Sequence, residues 1–189
     1  GQRNLTGRVA AAHSYNADSF VWSTFYSYDE LGRIEWIVQK NMWGKAWKIT
    51  YTHDLQGRVT KKAFADSYSG YNLYTYNEYD QMGRLTRVST NGVDDPISAT
   101  KEAEYVYSAT GKAKQLKLGS TPAQTVDYTY TSRDFLYEIN DLYNYGSDKF
   151  CERIGYDAGW FGVPAYYNGN IGSTSFYTPS VGISSYAFL

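Results

Sequence analysis

Cysteine is almost absent: Cys151 is the single one in 189 residues, which excludes an internal disulfide and a cysteine-built metal site. Histidine is nearly as scarce. His13 and His53 would need carboxylates brought from elsewhere in the fold before they could hold a metal. No charge of one sign dominates: the net charge is −1 and the pI about 6.1. That removes the basic footprint of a nucleic-acid binder and any electrostatic pull toward anionic membranes. No apolar run approaches the roughly 20 residues that cross a bilayer as a helix, so no membrane insertion is expected. Gly-x-Ser-x-Gly elbows and phosphate loops are missing, and Asp94-Asp95 lacks the glycine and glutamate positions of an EF-hand loop. Nothing in the chain calls for a cofactor.

Aromatic residues are abundant: they make up 18% of the chain, and 21 of them are tyrosines. With only two Met and four Pro, this composition favours strands over helices. The stretch 25–34, FYSYDELGRI, reads as a hairpin. Tyr26 and Tyr28 alternate onto one face of a strand. Asp29 can hydrogen-bond the backbone two residues on and open a turn, and Gly32 supplies the positive φ needed to re-enter a second strand. Arg33 and Ile34 resume the alternation.

The design recurs. Asp54, Gly57 and Arg58 repeat it with His53 in the place of Tyr28, and Asp80, Gly83 and Arg84 repeat it again. Ser108, Gly111 and Lys112 form a fourth copy, and residues 128–136 a fifth in which Asp134 replaces the glycine. Leu5–Val9 looks like the second half of a further copy, and Tyr186-x-Phe188 like the opening of another. The glycines at 7, 32, 57, 83 and 111 are spaced by 25, 25, 26 and 28 residues, a period that marks a repeat architecture. Residues 1–137 carry the regular hairpins, and 138–189 carry looser ones. Within the chain, His13–Phe20 reads as a connection, Lys112–Leu118 as an edge or solvent-facing strand, and Glu138–Asp148 as room for a helical turn.

The pattern Tyr-x-Tyr-Asp-x-x-Gly-Arg-hydrophobic, met in full at Tyr26-x-Tyr28-Asp29…Gly32-Arg33-Ile34 and from its second tyrosine onward at Tyr79-Asp80…Gly83-Arg84-Leu85, resembles the YD repeat of the rearrangement hotspot (RHS) proteins. These are bacterial surface and secreted proteins with relatives in insecticidal toxin complexes and teneurins. The resemblance implies an all-β array of hairpins forming one curved, spiralling antiparallel sheet. It also implies a non-enzymatic scaffold at the bacterial surface or outside the cell. Its partners would be the rest of a parent RHS protein and an enclosed, toxin-like C-terminal domain. The family's self-cleavage motif is not matched, since the one Asp-Pro, Asp95-Pro96, continues as Ile97-Ser98.

Three residue sets are candidates for function. Asp29, Asp54 and Asp80 could be a carboxylate array, but turn capping explains them more simply, and explains why Ser108 can substitute. Arg33, Arg58, Arg84 and Lys112 would form a ladder if the repeats stack, pairing with the aspartates or lying on tyrosine rings. Trp22, Trp36, Trp43, Trp47 and Trp160 could form a surface for carbohydrate, giving the alternative reading of an adhesion module, or could cover one another across strands. An interrupted sheet also leaves unpaired edges, through which an edge-to-edge homodimer is expected.

Overall fold

A computed structural model describes residues 1–16, 19–121, 123–156 and 168–188, with the backbone alone for Phe20. Its strands are β1 (Ala11–Asn16), β2 (Ser19–Tyr28), β3 (Ile34–Asn41), β4 (Ala46–His53), β5 (Val59–Asp66), β6 (Asn72–Tyr79) and β7 (Leu85–Asn91). They continue as β8 (Thr100–Tyr107), β9 (Ala113–Leu118), β10 (Gln124–Tyr130), β11 (Leu136–Ile139), β12 (Cys151–Gly155), β13 (Ser173–Thr178) and β14 (Gly182–Ala187). The chain divides into two compact units, residues 1–102 and 103–189, with the division inside β8. Within each unit the strands run antiparallel and neighbour one another in chain order, so the fold is an all-β hairpin array.

Three local expectations are corrected. His13–Phe20 is not a plain connection: Ala11–Asn16 pairs with β2 from Ser19 onward, because backbone bonds to a neighbouring strand outweigh polar composition. β9 is not an edge; it pairs with β8 on one side and β10 on the other, and Lys117 donates to Glu104 directly across the ladder at 3.1 Å. Residues 138–148 hold no helix, and none is present among the described residues.

The five YD-type hairpins share one irregularity. In each, the return strand carries one extra residue just after the turn: Ser27 faces Trp36 while Tyr28 faces Ile34, leaving Glu35 unmatched. The same bulge leaves out Thr60, Thr86, Lys114 and Tyr137. Thr60 and Thr86 use it to donate their hydroxyls back to the Thr52 and Glu78 carbonyls, both at 3.2 Å. A bulge at a fixed place pins the register, which otherwise flips every side chain when it slips by one.

The two units differ in how they bury apolar groups. In residues 1–102 the buried described residues are polar: Ser23, Ser27, Asn41 and Ser89. This unit is one sheet layer with half-buried apolar side chains on both faces. Trp22, Ile37, Gln39, Trp47, Ile49 and Phe64 share one face; Phe25, Trp36, Val38 and Lys48 share the other. In residues 103–189 the segment between β11 and β12 folds over the sheet and seals Leu142 and Cys151 completely.

Candidate functional site

The repeated turn is built from short-range chemistry. Asp29 N–H donates to the Arg33 carbonyl at 2.9 Å and Gly32 N–H to the Asp29 carbonyl at 3.0 Å. The Asp29 carboxylate then accepts from Leu31 N–H, from Arg33 N–H and, at 2.6 Å, from Arg33 Nε. Asp54–Arg58 and Asp80–Arg84 reproduce every one of these bonds. The glycines sit at φ between +81° and +85°, where a Cβ would strain the chain, and Asp134 takes the same left-handed conformation at +69°. Where the aspartate is missing, a hydroxyl substitutes: Ser108 accepts from Lys112 N–H and Thr131 from Phe135 N–H.

These bonds set the charge state. Burial works against the Asp29 and Asp54 carboxylates, but the N–H bond from the following arginine, its guanidinium and a second N–H outweigh it and hold both below the ordinary carboxylate range. For Asp80 the Arg84 N–H bond is the largest effect, and the direction is the same. Each carboxylate is therefore ionised and fully engaged at neutral pH, which suits a cap and leaves it a poor proton donor for acid catalysis.

The same residues also join each repeat to the next. Tyr28 donates its hydroxyl to the Val9 carbonyl, Tyr79 to Val59, Tyr130 to Ala113 and Tyr156 to Leu136, all at 2.9–3.0 Å. Every acceptor stands directly after the basic or aromatic residue that closes the preceding turn. The basic residue in turn lies over the ring: Arg8 over Tyr28, Arg58 over Tyr79 and Lys112 over Tyr130, at 5.5, 4.7 and 4.9 Å. Arg33, facing His53 instead of a tyrosine, donates to the Asp54 carbonyl at 3.0 Å, and Lys112 donates to the Asp134 carbonyl. Tyrosine thus reaches back while the basic residue lies over its ring, so the Arg8–Tyr28, Arg58–Tyr79 and Lys112–Tyr130 junctions are stapled twice, and the Arg33–His53 junction is held by the arginine's reach to Asp54.

Two features of this site go beyond the sequence, in which residues 41–44 read as a plain turn and Tyr156 as the end of a strand. Asn41–Lys45 is the same turn on the opposite edge of the sheet: Asn41 N–H donates to the Lys45 carbonyl, and the Asn41 side-chain oxygen accepts from Trp43 and Lys45 N–H. Its lysine lies over the Tyr68 ring at 3.7 Å, so the basic-over-aromatic device operates there too. Tyr156 is a further copy of the repeat tyrosine. The signal for both was present, as Asn-x-x-Gly-Lys and Tyr-Asp, but without the flanking alternation that makes a copy visible.

The tryptophans do not form one row. Trp22 and Trp47 meet across the intervening β3, ring centroids 5.0 Å apart and tilted by 34°. With Ile37, Gln39, Ile49 and Phe64 they line an open groove of about 330 Å³. Trp36 lies on the other face beside Lys48, and Trp43 projects from the β3–β4 turn. Trp160 lies outside the described residues. Asp94, weighed above as a cation ligand, is taken up by Lys61 at 2.9 Å and by the Tyr76 hydroxyl. Burial, and then that bond to Asp94, push the Tyr76 hydroxyl up to about 12. Among the described residues no group of three or more His, Cys, Asp or Glu could hold a metal ion. His13 bonds Ser23 at 2.6 Å, with Phe25 edge-on to its ring.

No family model and no curated protein sequence matches the chain. Solved structures do match in fold. The crystal structure of TcdB2-TccC3 without its hypervariable C-terminal region aligns over 97% of this chain at 14% identity and a TM-score of 0.50, while the chain spans 11% of that structure's length. A porin-like protein from Bacteroides uniformis aligns over 97% of this chain and 84% of its own, at 12% identity and a TM-score of 0.46. The fold of this chain is RHS-like, a β-sheet array of hairpins.

Proposed function

We propose that this chain is a length of wall: a non-enzymatic scaffold segment of an RHS-type shell that encloses or presents a toxin-like C-terminal domain of a longer polypeptide, at the cell surface or secreted. The observation that carries this reading is the double staple between repeats. Its most reactive side chains, the turn aspartates, arginines and tyrosines, are spent on one another. A sheet held this way through its turns can remain one layer thick, as residues 1–102 are, and a thin wall encloses the most volume per residue. The fold likeness to TcdB2-TccC3 supports the same role.

The test is protease protection in the longer polypeptide that this reading requires. Its C-terminal domain should resist digestion when joined to the repeats, and become sensitive when the staple is cut by combining Arg58→Ala with Tyr79→Phe. Digestion at the rate of the isolated domain would reject enclosure.

The Trp22–Trp47 groove favours one second reading, carbohydrate binding on aromatic faces, because Gln39 lines the same groove as the two indoles and adds a polar amide to it. Titration with a panel of sugars, followed by tryptophan fluorescence, separates the two. Saturable quenching that Trp47→Ala abolishes would favour the adhesion module.

A further inference from the structure

Sulfur gives this chain no covalent brace: Cys151 is its single cysteine and is completely buried. Tyrosine is the other side chain that joins to its own kind by oxidation. The segment between β11 and β12 brings two of them together. Tyr145 lies flat against Tyr177 of β13, with ring centroids 3.7 Å apart and planes inclined by 15°.

Hydrogen bonding, burial and position set this pair apart. The repeat tyrosines Tyr28, Tyr79, Tyr130 and Tyr156 each spend a hydroxyl on a backbone carbonyl of the preceding turn. Neither the Tyr145 nor the Tyr177 hydroxyl makes a hydrogen bond among the described residues, so the two rings can slide and turn without breaking one. Both side chains are half-buried. An oxidant can reach them, while a second chain meets them less readily than it meets Tyr68 or Tyr186, which are 70% and 57% exposed. Tyr177 stands directly opposite Cys151 on the β12–β13 ladder, and Tyr145 belongs to the segment that seals that thiol. The stacked pair is therefore part of the closure.

We propose that Tyr145 and Tyr177 are a site of oxidative coupling, forming a dityrosine that locks the segment over Cys151. The co-reactant is hydrogen peroxide, used by a peroxidase that removes one electron at a time. Each phenol gives up an electron and its hydroxyl proton, which leaves two phenoxyl radicals. A carbon–carbon bond forms between ring carbons next to the oxygens. The hydrogen on each of those carbons then moves to the oxygen and restores both phenols. Two tyrosines and one peroxide thus become one dityrosine and two waters. Contact turns a chance encounter into an intramolecular step, so this pair couples ahead of tyrosines that must find a partner by diffusion. The product ties the segment to β13 and limits its open states, as a disulfide limits the chain it closes.

The test is mild treatment of the 189-residue chain, at low protein concentration, with a peroxidase and hydrogen peroxide. Tyr145→Phe, Tyr177→Phe and Tyr143→Phe are treated beside it. The parent chain should gain dityrosine fluorescence, remain a single chain by size, lose two hydrogen atoms in intact mass and give a tryptic crosslink between peptides 134–149 and 154–189. Tyr145→Phe and Tyr177→Phe keep the ring and remove a hydroxyl that bonds nothing, so the fold is retained; each should lower the dityrosine yield of the single chain at least tenfold. Tyr143→Phe should not, although Tyr143 shares the first peptide and is 61% exposed. Amide exchange across 140–150 should slow in the crosslinked chain and stay unaltered in treated Tyr145→Phe. Dityrosine confined to chain–chain dimers, an undiminished yield in Tyr145→Phe, or a thioether from Tyr177 to Cys151 in place of the tyrosine link would each overturn the proposal. So would unchanged exchange in the crosslinked chain, which would mean that the pair does not hold the closure.

Discussion

At the scale of single residues, each letter of the repeat has a distinct physical task. Glycine supplies a conformation, aspartate collects N–H groups, arginine returns to its own aspartate and reaches the next turn, and tyrosine ties back to the last one. Gly57 separates conformation from space. A Cβ there would meet only Arg33 atoms, at 3.7 and 3.8 Å, which is ordinary contact. The penalty for Gly57→Ala is therefore the left-handed backbone at φ +85°, about 1–2 kcal/mol, read by urea denaturation. Gly57→Asp should cost less, because Asp134 adopts that conformation natively at the equivalent place. Equal losses for the two variants would show that packing, not φ, requires the glycine.

Among whole elements, the hairpins were legible and the segment over β11 and β12 was not. Residues 140–150 have no repeat signature, yet they hold Leu142, which with Cys151 is completely buried. Asn140, with φ +53°, accepts from Asp127 N–H through its side-chain oxygen and donates its amide to the Phe150 carbonyl, both at 2.8 Å. Glu138 and Arg153 pair at 2.6 Å, with the guanidinium over Tyr137 and Tyr143. Their closure seals Leu142 and Cys151, whose thiol is pushed up to about 11 by burial first and by Asp148, Asp141 and Glu138 after it. Leu142→Ala should cost the second unit about 2–5 kcal/mol. The readout is faster hydrogen exchange and new reactivity of Cys151 toward a thiol reagent. A thiol that stays unreactive would mean that Leu142 is not what closes the segment.

Across the described residues, the carboxylates held below their ordinary range fall in one unit. Asp29, Asp54, Asp66, Asp80, Asp94 and Asp95 are all held below the ordinary carboxylate range, and all lie in residues 1–102. A carboxylate with a lower pKa folded than unfolded binds more protons when unfolded in that interval. Its contribution is complete above the unfolded value and is lost as pH falls through the folded one. Residues 1–102 should therefore lose stability progressively below about pH 4. Trp22, Trp36, Trp43 and Trp47 all stand in that unit, so tryptophan fluorescence should report the transition. Replacing the turn aspartates by serine, which caps through a hydroxyl as Ser108 does, should flatten the acid limb. An unaltered limb would place the titrating groups elsewhere.

The hairpin period, the turn type and the identity of the turn residues were readable from the amino acids alone. A positive φ and a side chain capping its own backbone are requirements met within five residues. Which tryptophans meet, how Asp94 is held against Lys61 and Tyr76, and what encloses Cys151 were not readable. Those contacts join positions up to 33 residues apart, and composition does not reveal which strands a folded sheet carries into reach. The repeat lay between these cases. Its letters announced themselves as local turns, while the reach of Tyr79 to Val59 and of Arg33 to Asp54 exists only once one hairpin is laid beside another.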